Sequence, residues 1–143
     1  MSAYIDTSAL AKCYIREPRS LEVLEWVDNH GETTTAALTL VEFRCLLARR
    51  RRSGEIDITL ERRALAEFDN HVRGGSWRIH HSSLGDFAVA RDLIDALPSH
   101  PLRALDALHL GAARSINADT FATSDKKQAE AARALGFTVH DFS

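Results

Sequence analysis

Two rhythms of apolar and polar positions alternate along this chain. Short β-prone runs are separated by longer stretches in which an apolar residue recurs every three or four positions. The short runs read as strands over residues 3–6, 33–36, 77–80, 120–123 and 137–140. The longer stretches read as helices over 19–29, 39–52, 60–72, 84–96, 105–116 and 126–135, with a shorter one running from Thr7 or Ser8, either of which would cap it, to about Ile15. Apolar stripes mark the faces expected to meet a core. They are Leu21, Leu24 and Val27 with Trp26; Leu40, Phe43, Leu46 and Leu47; Leu65 and Phe68; and Leu105, Leu108, Ala112 and Ile116. Thr39 and Glu42 stand in the S/T-x-x-E relation of a capping box. Prolines and glycines such as Pro18, Gly31, Gly74-Gly75, Pro98 and Gly136 punctuate the pattern. Strands alternating with helices imply an α/β fold with a mainly parallel, five-stranded sheet covered on both faces.

Composition narrows this picture without redirecting it. The 143 residues suit a single domain over 1–143, and 45% hydrophobic with 27% charged residues is an ordinary globular balance. No internal repeat or linker divides the chain. A net charge of -2 neither demands nor forbids a nucleic-acid partner, because a local basic patch suffices for phosphate contact. Cys13 and Cys45 fall on apolar faces of the expected helices and lack CxxC spacing, so both are expected as small buried hydrophobes. The chain shows no secretory signal and no apolar stretch of membrane-spanning length, so a soluble cytoplasmic protein is expected.

The candidate chemistry is acidic. Asp6 ends the first strand. Glu42 lies in the first turn of the helix after the second strand. Asp106 lies in the first turn of the helix ending near Ile116, and Asp125 follows the fourth strand. In a parallel sheet these positions share one edge, at the carboxyl ends of the strands, where open α/β sheets bind ligands. Like charges so gathered repel and raise one another's pKa values unless a cation joins them. An oxygen-only donor set suits Mg²⁺ or Mn²⁺ better than zinc. Such an ion polarises a phosphodiester and acidifies an attacking water. Each acid also has a purely structural reading as a helix cap or dipole partner.

Other side chains with usable chemistry stand beside them. Ser8, Thr7, Thr123 and Ser124 flank the acidic ends and can cap, or can position water or phosphate. Lys12 and the Arg44 and Arg49–Arg52 positions offer positive charge, or simply solvated faces. His109, three residues after Asp106, reads as a half-buried satisfied histidine or a partner to the acids. Dinucleotide and P-loop signatures, HExxH spacing and a serine nucleophile elbow are all missing.

These residues carry a family likeness. Tyr4-Ile5-Asp6-Thr7-Ser8-Ala9-Leu10-Ala11-Lys12 resembles the start of a PIN domain of the VapC toxin type. So do Leu40-Val41-Glu42-Phe43-Arg44, the run Leu102–Leu110 around Asp106, Phe121–Lys127 around Asp125, and Ala131–Val139. The motifs occur in the family's order over nearly the whole chain. The resemblance implies a three-layer α/β/α sandwich with strand order 3-2-1-4-5. It also implies a Mg²⁺- or Mn²⁺-dependent endoribonuclease with Asp6, Glu42, Asp106 and Asp125 as metal-binding acids. Ser8 or Thr7 would be the assisting hydroxyl. A homodimer and a cognate VapB-type antitoxin are implied as well, the antitoxin binding operator DNA so that this chain's link to DNA is indirect. The expected reaction is in-line attack of water on RNA, leaving 5′-phosphate and 3′-hydroxyl ends. Two rivals stand beside it: another metal-dependent nuclease or phosphohydrolase acting on DNA, and a non-enzymatic binding protein. A haloacid-dehalogenase-like phosphatase fits less well, since it wants an aspartate where Ser8 stands.

Overall fold

The structure, a computed structural model, describes residues 2–143. Its sheet has five strands, all parallel: β1 (Ala3–Ile5), β2 (Thr33–Ala36), β3 (Trp77–His80), β4 (Thr120–Thr123) and β5 (Thr138–Asp141), in spatial order β3-β2-β1-β4-β5. β1 is central, with Tyr4 opposite Thr34 on one side and Phe121 on the other. The chain works outward through β2 and β3, then returns to the far side of β1 for β4 and β5. The direction of winding therefore reverses between β1 and β4, and a crevice forms there at the carboxyl ends of the strands.

Strand alternation splits the core into two layers. Ile5 and Ala122 face one side, where α1 (Thr7–Ala11), α2 (Ser20–His30), α3 (Leu38–Arg52) and α4 (Ile58–Arg73) pack through Leu10, Val23, Phe43, Leu47 and Phe68. Tyr4 and Phe121 face the other, against α5 (Leu84–Ala96), α6 (Ala104–Ser115) and α7 (Lys126–Ala134), through Leu93, Leu110 and Ala132. Each large apolar side chain taken fully out of water contributes about 1.5–3 kcal/mol. The three-layer sandwich and its strand order are those the resemblance implied.

Several local expectations are corrected. α1 is capped by Asp6, whose side chain accepts from the Ala9 amide, rather than by Thr7 or Ser8, and it ends at Ala11 rather than Ile15. α3 begins at Leu38 with no side-chain cap; Thr39 is buried inside the helix, so the expected capping box does not form. In α2 the buried face is Val23 and Trp26, whereas Leu21 is 69% exposed. Leu24, Leu40 and Leu105 are likewise exposed. Apolar spacing of three and four fits two adjacent helix faces, and contact with the sheet decides between them. Cys13 is only partly buried and Cys45 is exposed, both as free thiols. The last strand is Thr138–Asp141, one residue later than its apolar pattern indicates. No helix among the described residues is long and apolar enough to cross a membrane.

Candidate active site

At the carboxyl edge of the sheet lies an open pocket of about 580 Å³ whose lining includes Asp6, Ser8, Glu42, Asp106 and Asp125. Four elements deliver these side chains. Asp6 stands between β1 and α1, where its carboxylate both caps the helix and faces the pocket. Glu42 comes from the second turn of α3, Asp106 from the first turn of α6, and Asp125 is the N-cap of α7.

Each acid is held by donors of its own. Asp6 Oδ1 accepts from the Ser8 hydroxyl at 2.7 Å and the Ala9 amide at 3.1 Å, while its Oδ2 accepts from the Thr123 hydroxyl at 2.5 Å. Glu42 Oε1 accepts from the Thr7 hydroxyl at 2.8 Å and lies 2.6 Å from His109 Nε2. Asp106 Oδ2 accepts from the Arg103 amide at 3.1 Å. Asp125 Oδ1 accepts from the Lys127 and Gln128 amides at 2.8 and 3.2 Å. Gln128 also ties the last two acids together, since its side-chain amide donates to the Asp106 carbonyl at 3.0 Å.

The electrostatics follow from burial. Asp6 is 4% exposed, and loss of water raises its carboxyl above the ordinary aspartate value against the pull of His109, Thr123 and Ser8. Burial raises Asp106 too, and the Asp125 charge adds to it, with the Arg103 amide opposing both. Burial works in the same sense on Glu42, but the His109 hydrogen bond and charge, with the Thr7 hydroxyl, outweigh it and hold that carboxyl below the usual range. The site thus concentrates negative charge that the protein only partly compensates.

The donor set fits a hard divalent ion. All four acids offer oxygen, and they outnumber the one thiol of the lining, Cys45. Ser124 Oγ is buried without a hydrogen-bond partner among the described residues, and the amide of the same residue donates to the Ser8 hydroxyl of the pocket at 2.9 Å. Such an orphaned polar atom is ordinarily satisfied by water or an ion. As they stand, no three His, Cys, Asp or Glu side chains among the described residues are gathered closely enough to clasp a metal. The acids therefore share one pocket while each keeps its local partners.

Other candidates are sorted by the same geometry. Lys12 donates to the Pro18 carbonyl at 2.8 Å, lies 3.6 Å from Glu17, and is not among the pocket residues. Arg44 and Arg51 pair with Glu61, and Arg50 with Glu17. Arg49 and Arg103 line the pocket and enter no ion pair among the described residues. His109 is buried, and it partners Glu42 and Tyr4 rather than Asp106. Tyr4 and Arg103 were not singled out from the sequence. The i, i+2 relation of Tyr4 in β1 to Asp6 just beyond its end is the available signal for the first. For the second it was position, immediately before a helix opening on an acid.

Among known proteins, residues 3–134 match the PIN domain family. Ribonuclease VapC46 of Mycobacterium tuberculosis is 32% identical over 139 residues, covering 95% of this chain and 94% of that protein. The solved structure of M. tuberculosis VapC20, described as a sarcin-ricin loop cleaving toxin, matches with a TM-score of 0.71 at 19% identity over 96% of this chain and 97% of that one. DNA-bound VapBC from Salmonella typhimurium matches with a TM-score of 0.72 at 15% identity, over 100% of both chains. At such identities the two structures bear on the fold alone.

Proposed function

The chain belongs to the PIN-domain family, in its VapC-related branch, and from that premise we propose that it is a Mg²⁺- or Mn²⁺-dependent endoribonuclease of the toxin type. The observation that carries the proposal is the convergence of Asp6, Glu42, Asp106 and Asp125, from four separate elements, on one pocket at the winding reversal of the sheet. The relative named a ribonuclease supports the choice of RNA over DNA. Neighbours described as VapBC bound to DNA, and one described as a toxin-antitoxin complex from Klebsiella pneumoniae, support a VapB-type antitoxin partner and only indirect contact with operator DNA. A homodimer completes the proposed assembly.

In this reading Asp6, Glu42, Asp106 and Asp125 hold the ion. A bound Mg²⁺ or Mn²⁺ supplies Lewis acidity at the scissile phosphate and an acidified water. Ser8 and Thr123 fix the two oxygens of Asp6. Arg49 and Arg103 bind backbone phosphates on the rim of the acidic floor, which offsets repulsion between the acids and the RNA. Among the described residues the pocket is lined by Leu38, Val41 and Leu105 with no Phe, Tyr or Trp, so RNA is held there by its backbone rather than by bases stacked on aromatic rings.

The test is cleavage of matched RNA and DNA strands by purified protein with Mn²⁺ or with EDTA, beside Asp6→Asn. Internal RNA cuts bearing 5′-phosphates are expected only with metal, and Asp6→Asn is expected to lower the rate by at least about a hundredfold. Undiminished cutting by that variant, or cutting of DNA alone, refutes the proposal.

A further inference from the structure

Resting on the cation-site reading above, we infer that Tyr4 and His109 form a positioning pair that presents Glu42 to a cation through a single oxygen. Asp6 continues the extended backbone of β1 two positions after Tyr4, so the residue that starts this arrangement lies on the same side of the chain as the acid that heads the site. The Tyr4 ring is fully buried and stacks on Phe121 with centroids 5.3 Å apart, which fixes where its hydroxyl points. That hydroxyl meets His109 Nδ1 at 2.6 Å. The His109 ring, 4% exposed, then places Nε2 2.6 Å from Glu42 Oε1. An ionised carboxylate only accepts, so Nε2 carries the hydrogen and donates.

A second donor reaches the same oxygen. Thr7 gives its one hydroxyl hydrogen to Glu42 Oε1 at 2.8 Å. The Thr39 hydroxyl, 3.0 Å from Thr7, must then donate to Thr7, and Thr35, 2.8 Å from Thr39, must donate to Thr39. The direction of the whole buried chain is thus set by the carboxylate at its end. Two donors fill Oε1, while Oε2 meets no protein donor among the described residues. Glu42 is left with one free oxygen in the pocket and little freedom to swing. A ligand of that kind binds a cation through one atom and leaves room for the waters that Mg²⁺ sheds reluctantly.

Two readouts test the inference. In metal-free protein, the His109 ring N–H gives a slowly exchanging NMR resonance, and Tyr4→Phe broadens or removes it while the folded-state circular dichroism is kept. In Mn²⁺ titrations followed by water-proton relaxation, His109→Ala weakens binding about tenfold. His109→Gln, whose side-chain amide reaches the place of Nε2, recovers most of that loss. At saturating Mn²⁺ the RNA KM of both variants stays within about twofold of wild type. Wild-type Mn²⁺ affinity in His109→Ala overturns the inference, as does a folded His109→Gln that binds as weakly as His109→Ala. A protected ring N–H unaffected by Tyr4→Phe overturns the pairing of Tyr4 with His109. A wild-type protein that binds no Mn²⁺ while showing the protected N–H overturns the cation site itself, so the two failures are distinguishable.

Discussion

Asp106 shows how a single carboxylate burdens the fold it serves. Its pKa is raised by burial and by Asp125, so the native state binds more protons than the unfolded chain between the two values. Stability from this group therefore falls as pH rises through that window, and its charge destabilises the metal-free protein at pH 7. Asp106→Asn keeps an oxygen for the Arg103 amide and removes the charge. Its metal-free urea midpoint is expected to exceed wild type modestly at pH 7, with the gap closing as pH falls below about 3.9. Addition of Mn²⁺ is expected to stabilise wild type and not the variant, since only a ligand that binds the native state shifts the midpoint. Equal midpoints at pH 7 would show that the site carries no electrostatic strain. At this scale the sequence was most legible where chemistry sits next to a strand end, as with Asp6 and Asp125. It was least legible where contact crosses the fold: Tyr4 and His109 are 105 positions apart and meet only because β1 lies against α6. The cap of α1 was misassigned because Asp6, Thr7 and Ser8 are all capping residues, and only the backbone decides which one reaches the third amide.

At the scale of elements, Asp125 both caps α7 and faces the pocket, and substitution separates the roles. Asp125→Asn is expected to keep the cap and stability while losing activity. Asp125→Ala is expected to lose about 1 kcal/mol as well, read by urea unfolding. Equal stability of the two variants contradicts the cap. α5 and α6 approach closely at Gly111, where an added Cβ would stand 3.2 Å from the Asp86 carbonyl and 3.4 Å from the Ala90 amide. Backbone cannot yield as a flexible side chain does, so Gly111→Ala is expected to cost about 1–3 kcal/mol. This contact also explains why the stripe of α6 was read imperfectly. Apart from Leu110 and His109, the helix meets its neighbours through Ala107, Gly111, Ala112 and Ala113, small residues that carry little hydrophobic signal, while Leu105 faces the pocket. The strands were easier, because Thr33–Ala36 and Thr120–Thr123 are short, β-prone and bounded by polar turns.

Across the whole molecule, the alternation of strands and helices fixed the class of fold, and family resemblance supplied the strand order. The net charge of -2 conceals a local division. Arg51 is consumed by Glu61, whereas Arg49 and Arg103 line the pocket and enter no ion pair among the described residues. RNA binding by a cleavage-dead Asp6→Asn protein is therefore expected to weaken with salt. Removing Arg49 and Arg103 together should make the log–log slope shallower by about 1.4, at roughly 0.7 per single-strand phosphate contact, while Arg51→Ala leaves it unchanged. Fluorescence anisotropy across a salt series measures this, and an unchanged slope in the double variant excludes the two arginines as phosphate contacts.

In the proposed function, four acids from four elements act as one cation site for RNA hydrolysis. Residues acting as a unit show non-additive losses. The direct measurement is Mn²⁺-dependent RNA cleavage by Asp6→Asn, Asp106→Asn and the double variant. Each single change is expected to remove nearly all activity, and the double variant to lose little more. Losses that multiply, or a single variant that cleaves as wild type does, contradict it.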